Sequence, residues 1–310
     1  MTSAVTGFDT ETLELLATSL REVFTAHPDA GGVAAALAEL GWDEVSASDP
    51  AAANTLLFAE QGRALAISRL LDDVVLRELT PALPTATGHR AVLYRHEGHA
   101  LLLGPVDDHA ELVSIDGAGN VGLLVSQDLS ARPVRGFDPG SGWLCVDEIP
   151  SARPVAAGNA GQLAVAAARR ALSAEIIGIC AAALDSAVAH TTVRSQYGRP
   201  LATFQAVRHR LAESHVSIEA ARAALAAAWA DDSVWTARLA KQRAGQAQAE
   251  VMRHAVQVFG AMGLSQENDL HRRVTRAAAL DLLLGSHTAQ AEQVGADLLA
   301  GADLLRVVEI

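Results

Sequence analysis

The chain has 310 residues, half of them hydrophobic, with aromatics at only 4 % and a formal net charge of −12. That length supports a sizeable core in two or three packed layers, and the acidic balance argues against nucleic acid as the main partner, because phosphate binding needs a basic surface. Only Cys145 and Cys180 are present, without a CxxC spacing, so a disulfide scaffold and a zinc site are not expected.

Alanine dominates the apolar content, and its high helix propensity predicts a mostly helical protein. Residues 1–80 read as an N-terminal helical domain. Phe8 to His27 sets Leu13, Leu16, Leu20 and Phe24 at three- and four-residue steps, an amphipathic stripe. Gly31-Gly32 and Gly41-Trp42 punctuate a second helix, and Asp49-Pro50 opens a third, with Pro suited to the first helical turn. Thr80-Pro81-Ala82-Leu83-Pro84 is a linker.

Residues 81–152 read as a reduced β domain. Ala91–Tyr94, Ala100–Leu103, Glu111–Ile115 and Val121–Val125 are short apolar runs separated by turn residues, and Gly142–Val146 is the expected last strand. This pattern predicts a small antiparallel sheet or barrel. His96-Glu97-Gly98-His99, with His89 and His109 nearby, sits in turn-rich sequence without an HExxH spacing, so hairpin imidazoles are expected there and no metal.

Residues 153–310 read as a C-terminal helical bundle. The most apolar stretch, Leu163 to Leu184, contains Arg169, Arg170 and Glu175. Three charges within one membrane span would be costly, so a buried helix of a soluble protein is expected. Phe204 to Trp229 and Val234 to Phe259 predict two more helices, with Asp231-Asp232-Ser233 between them suited to capping. A further helix starts at Asp269 and ends near Gly285, and Thr288 to Leu305 follows. The expected fold class is α+β, mostly α.

Two segments carry the functional information. Arg194-Ser-Gln-Tyr197-Gly198-Arg199-Pro200 runs into Phe204-Gln205-x-Val207-x-His209-x-Leu211, and Gln257-Val-Phe259-Gly260-Ala261-Met-Gly263 is followed by Asp269-Leu270 and Arg276. Both resemble flavin-contacting segments of acyl-CoA dehydrogenases, and Glu60-x-Gly62-Arg63 is a weaker N-terminal echo. The resemblance implies a helical domain, a β domain and a four-helix bundle, with FAD as cofactor. In that family each flavin lies at a subunit interface, and a neighbouring subunit contributes the loop arginine and the glutamine helix. Carried over by position, Arg194 would pair with pyrophosphate, Tyr197 would pack near the cofactor, and Gln257 and the backbone at Ala261 would meet the adenosine end. Gln205 is a further cofactor-binding candidate. Tyr197 replaces the usual phenylalanine, and Ala261 stands where glycine is usual.

The departures cluster on the other side of the site. The family's catalytic glutamate usually lies some 27 residues after the motif glutamine; here that position is Leu284, followed by Gly285. Some members place it some 26 residues before the loop arginine; here that is Ala168. Neither side chain can take a proton, which desaturation of an acyl-CoA requires. The Thr-Glu-Pro, Gly-Ser-Asp and Trp-Ile stretches that embrace the flavin ring in full-length relatives are absent between Thr85 and Pro150. The resemblance is therefore to a shortened, base-lacking subunit, as paired in actinobacterial steroid-degrading dehydrogenases. It implies a full-length acyl-CoA dehydrogenase as partner, commonly as α2β2, an acyl-CoA at the partner's site, and electron-transfer flavoprotein as a possible acceptor. Two other readings stand beside it: a self-sufficient homotetramer with a relocated base such as Glu175, and a flavin-free assembly scaffold. No secretory pattern follows Met1, and a cytoplasmic location is expected.

Overall fold

The computed structural model describes residues 7–27, 30–86, 88–96, 98–134, 141–265 and 268–301. Five helices come first: α1 (Thr10–Ala26), α2 (Ala30–Glu39), α3 (Trp42–Ser48), α4 (Pro50–Ala64) and α5 (Leu70–Leu79). Asp9 caps α1 by accepting from the Thr12 N–H, and Asp49 caps α4 by accepting from the Ala52 N–H, with Pro50 at the first turn. These carboxylates satisfy N–H groups that a helix start leaves without partners.

Among the described residues the sheet has seven strands: β1 (Arg90–His96), β2 (His99–Leu102), β3 (Glu111–Ile115), β4 (Val121–Val125), β5 (Ala131–Pro133), β6 (Leu144–Val146) and β7 (Arg153–Pro154). Their order is β5-β6-β2-β1-β3-β4-β7. The antiparallel expectation is corrected at one pair. After the β1–β2 hairpin the chain crosses to the far side of β1, and β3 enters parallel to it, Arg90 opposite Glu111 through Tyr94 opposite Ile115. The sheet is therefore mixed. The expected last strand is also shorter and is not last, since β7 follows and pairs with β4.

Both faces of the sheet are covered. Val92, Tyr94, Val113 and Ile115 join the main core under the helices, while Ala91, Leu93, Leu112 and Val146 form a second apolar cluster. The period-two alternation of a strand divides them this way. Asp72 of α5 fastens helices to sheet: it accepts from Tyr94 Oη at 3.0 Å and from the Val92 N–H at 3.3 Å.

The remainder is α6 (Ala160–Val193), the short hairpin β8 (Ser195–Gln196) and β9 (Arg199–Pro200), α7 (Gln205–Asp231), α8 (Val234–Phe259), α9 (Leu270–Leu282) and α10 (His287–Leu299). Ser233 caps α8 by accepting from the Thr236 N–H. Residues 302–305 of the expected last helix lie outside the described residues. By length and composition α6 could cross a membrane, yet 78 % of its most apolar window is buried inside the fold. Glycine makes this possible. A Cβ at Gly62 would collide with the Glu175 carbonyl, and one at Gly178 with the Ala59 carbonyl, so α4 and α6 touch backbone to backbone.

Candidate functional site

The C-terminal end of α6 gathers the first group of candidate residues. Arg194 is the helix C-cap, its N–H bonded to the His190 carbonyl and its own carbonyl accepting from the Leu201 N–H. Its side chain is exposed and makes no hydrogen bond or ion pair among the described residues. Tyr197 and Gly198 form the tip of the β8–β9 hairpin with φ of 52° and 77°. Two consecutive positive φ values suit a two-residue hairpin turn, but tyrosine in the left-handed region is unfavourable by roughly 1 kcal/mol. Tyr197 is nevertheless 93 % exposed and lies edge-on to Phe204, with ring centroids 6.3 Å apart. Arg199 is committed elsewhere: its guanidinium sits 4.2 Å above the Phe204 ring.

The second motif reaches the same rim through a ring stack. His190 of α6 and Phe259 of α8 stack with centroids 4.4 Å apart, which brings the end of α8 against the end of α6. Burial, helped by the neighbouring Arg194 charge, holds the His190 imidazole below its usual pKa, so neutral imidazole is favoured there. Gln257 sits two residues before Phe259 and is exposed; Gln205, at the first turn of α7, is exposed too. Neither amide has a side-chain partner among the described residues. Ala261 is exposed in the turn after α8, where Gly260 takes the positive φ of 62°. The turn therefore needs no glycine at Ala261. Together the rim offers a guanidinium, two amides and an aromatic ring to solvent. Arg208, His209 and Arg210 are also exposed, on the first turns of α7.

The base positions look entirely different. Ala168 is fully buried, and Leu284 is 3 % exposed with φ of 56°, followed by Gly285 at 103°. The Leu284 carbonyl accepts from Arg169 Nη2 at 2.9 Å, and the same nitrogen donates to the Gly117 carbonyl in the β3–β4 turn. The Gly285 carbonyl accepts from Lys241 Nζ at 3.4 Å and from the Gln290 amide. Lys241 also donates to the Asp281 carbonyl at 2.9 Å, and Asp281 pairs with His287 at 2.6 Å. Burial lowers Lys241 to about 8, Asp281 opposing the shift and Arg169 adding to it. Burial likewise lowers Arg169 to about 10. A turn shaped for a side chain in the left-handed region persists, clamped by two buried cations, but its side chain is a hydrocarbon.

Sequence reasoning missed Lys241. It is the only lysine in the chain and is fully buried, so the signal was one charge amid Ala237, Ala240 and Ala244. Glu175 is buried between helices, its Oε1 4.0 Å from Arg276 Nη1. Burial raises it to about 7, against the opposing pull of Arg276 and Gln61. It lies seven residues past Ala168, about 10 Å along the helix axis. In the β domain His96 and His99 face each other across the β1–β2 hairpin, while Glu97 lies outside the described residues. His99, Cys145 and Asp147 do bring possible ligand atoms within 4.8 Å of one another. Arg132, however, holds both oxygens of Asp147, at 2.6 and 2.9 Å, which removes the carboxylate a cation would need. Trp42 and Trp143 are buried in the core and Trp229 packs against it.

Comparison with known proteins places this geometry. Residues 160–299 match the acyl-CoA dehydrogenase C-terminal domain. The chain is 30 % identical over 237 residues to the acyl-CoA dehydrogenase IpdE2 of Mycobacterium tuberculosis, covering 74 % of this chain and 73 % of the relative. Against IpdE2 of Mycolicibacterium smegmatis it is 35 % identical over 127 residues, and that alignment spans only 41 % of either chain. Among solved structures, the Tcur3481-Tcur3483 steroid ACAD variant superimposes with a TM-score of 0.71 at 24 % identity, covering 94 % of this chain and 99 % of that one. The ChsE4-ChsE5 complex from Mycobacterium tuberculosis gives 0.70 at 18 %, covering 96 % and 99 %. At such identities the structures speak for the fold, and the long IpdE2 alignment speaks for ancestry. With the matched bundle and the full-length fold, it shows that the chain belongs to the acyl-CoA dehydrogenase family, whose cofactor is FAD.

Proposed function

We propose that this chain is a non-catalytic subunit that completes the FAD site of a heteromeric acyl-CoA dehydrogenase. The complex performs α,β-desaturation of a CoA thioester, and a full-length partner supplies the base and the ring-binding domain. One contrast carries the reading: Arg194, Gln205 and Gln257 are exposed and make no side-chain hydrogen bond or ion pair among the described residues, while Leu284 and Ala168 are buried hydrocarbon. FAD, when bound, would supply the hydride acceptor. The chain's own residues do the rest from outside the reacting atoms. Arg194 would make charge-assisted bonds to the pyrophosphate, Gln257 and the backbone at Ala261 would meet the adenosine end with Gln205 as a further candidate, and Tyr197 would pack near the cofactor.

The present residues fit one side of a flavin dinucleotide and not the other. A guanidinium and amides await phosphate and adenine, whereas nothing at Leu284 or Ala168 can remove an α-proton. Two of the structures most similar in fold are described as a steroid ACAD and as a ChsE4-ChsE5 complex, which supports a two-component assembly and a steroid-derived acyl group. We take α2β2 as the assembly and electron-transfer flavoprotein as the acceptor. Flavin absorbance tests the reading. The chain purified alone is expected to be colourless, and its complex with a co-expressed full-length acyl-CoA dehydrogenase to carry a single FAD per heterodimer. Tight flavin binding by the lone chain, with turnover of an acyl-CoA, would overturn it.

A further inference from the structure

The end of α6 is a poor place for an anion. Its last carbonyls carry partial negative charge, so a pyrophosphate at Arg194 is repelled by the helix that presents the arginine. One guanidinium does not balance a dianion. Arg199 is drawn onto the Phe204 ring, 4.2 Å from its centroid. A second positive charge is needed beside Arg194, and the same helix holds a group that can acquire one.

His190 precedes Arg194 by four residues, so the two side chains project from the same face of α6. The imidazole is half-buried and lies on the Phe259 ring, with centroids 4.4 Å apart and an interplanar angle of 15°, which fixes its plane. Neither ring nitrogen has a hydrogen-bond partner among the described residues. The Arg194 charge acts on the ring, so the two groups lie within electrostatic reach of each other. A neutral imidazole offers one N–H, and a protonated one offers two.

The charges around this helix end decide when it is protonated. On α6 itself Asp185 is taken by Arg63 of α4 at 2.7 Å, and Arg273 of α9 donates to the Arg63 carbonyl. Arg253 of α8 and Arg208 of α7 are exposed, and the turn Leu201–Thr203 carries no charge. Burial, with Arg194 adding to it, holds the imidazole below its usual pKa, so the empty rim keeps it neutral. An arriving dianion reverses that balance, because an opposite charge favours the protonated ring. We propose that His190 is a second phosphate-contacting residue of the rim, which takes up a proton from solvent and donates a hydrogen bond to the cofactor's pyrophosphate beside Arg194. This inference rests on the shared flavin site.

The Kd of FAD in the co-purified complex, measured by flavin fluorescence between pH 6 and pH 8, tests it. Binding that takes up a proton weakens as pH rises, so the wild-type Kd should increase about 10-fold over this range. His190→Phe keeps a ring on Phe259 and removes the titrating group. It should bind FAD about 10-fold more weakly than wild type at pH 6 and converge on wild type at pH 8, which flattens the profile. His190→Tyr, a second ring that does not titrate here, should give the same flat profile. A role confined to packing predicts instead that both variants keep the wild-type slope. That result, or a flat wild-type profile, would overturn the inference. Arg194→Ala keeps it distinct from the reading beneath it. FAD lost at both pH values supports the shared site whatever the His190 variants do, whereas unchanged FAD retention sinks the shared site and this inference together.

Discussion

The Arg194 hairpin and the Leu284–Gly285 turn are both short connections at the ends of bundle helices, and they have opposite physical characters. At the hairpin and the helix ends beside it, Arg194, Gln205 and Gln257 present polar groups to solvent without side-chain partners among the described residues, and Tyr197 holds a disfavoured backbone to present a ring that is 93 % exposed. In the turn, two backbone carbonyls are taken by Arg169, Lys241 and Gln290, and the Leu284 side chain is sealed in the core. Idle polar groups contribute nothing to the stability of the chain that carries them, so the hairpin is arranged for contacts outside it. A turn saturated from within is arranged for the fold.

This contrast can be broken from either side. The largest effect is expected at the turn. Arg169→Leu strands the buried carbonyls of Leu284 and Gly117, and should lower unfolding stability by roughly 2–5 kcal/mol in a denaturant titration. Flavin per folded complex should be unchanged; a selective loss of flavin would show that the turn still belongs to the cofactor site.

The interior also dominates the pH dependence. The Glu175 carboxyl keeps its proton to about 7 when folded, against an ordinary value of 4.5. Between those values the folded state binds more protons than the unfolded one, so stability falls as pH rises through the window and is fully retained below it. The shift corresponds to about 3 kcal/mol at most. Glu175→Gln should flatten the Tm difference between pH 5 and pH 8, and Arg194→Ala should leave that difference as it is. If Glu175→Gln keeps the wild-type slope, the buried carboxyl is ionised through its Arg276 pairing.

At the rim, Arg194→Ala should leave the chain's own stability within about 0.5 kcal/mol of wild type. In the co-purified complex it should weaken FAD retention about 10- to 100-fold, the worth of a charge-assisted phosphate contact. Unchanged flavin would instead favour an assembly scaffold. The smallest effect sharpens the comparison most. Tyr197→Gly relieves the left-handed turn and should stabilise the lone chain by up to about 1 kcal/mol, while weakening association with the partner in sedimentation. A gain in stability without any loss of association would leave the exposed ring unexplained.

Much of this architecture could be read from the chain because its helices announce their ends. Asp49-Pro50 and Ser233 cap the elements predicted to follow them, and Phe24 and Leu20 bury the stripe their spacing implies. The parallel entry of β3 could not be read, since strand order depends on which side of β1 a loop returns, and no local pattern records that. At the site, spacing from Gln257 located Leu284, but not the clamp on its carbonyl. Arg169 and Lys241 reach that turn from α6 and α8, across 115 and 44 residues of sequence. Long-range pairings of single charges leave no periodic trace.

The position of Lys241 has a consequence for the chain's covalent chemistry. Because the only lysine is enclosed, the folded protein presents no lysine amine to electrophiles. On the proposed function, which puts the chain beside activated thioesters, this enclosure spares its lysine side chain adventitious acylation. Modification of Lys241 by an amine-reactive reagent would accordingly report the opening of the α8–α9–α10 junction, a clock for local unfolding that the sequence carries without any engineered label.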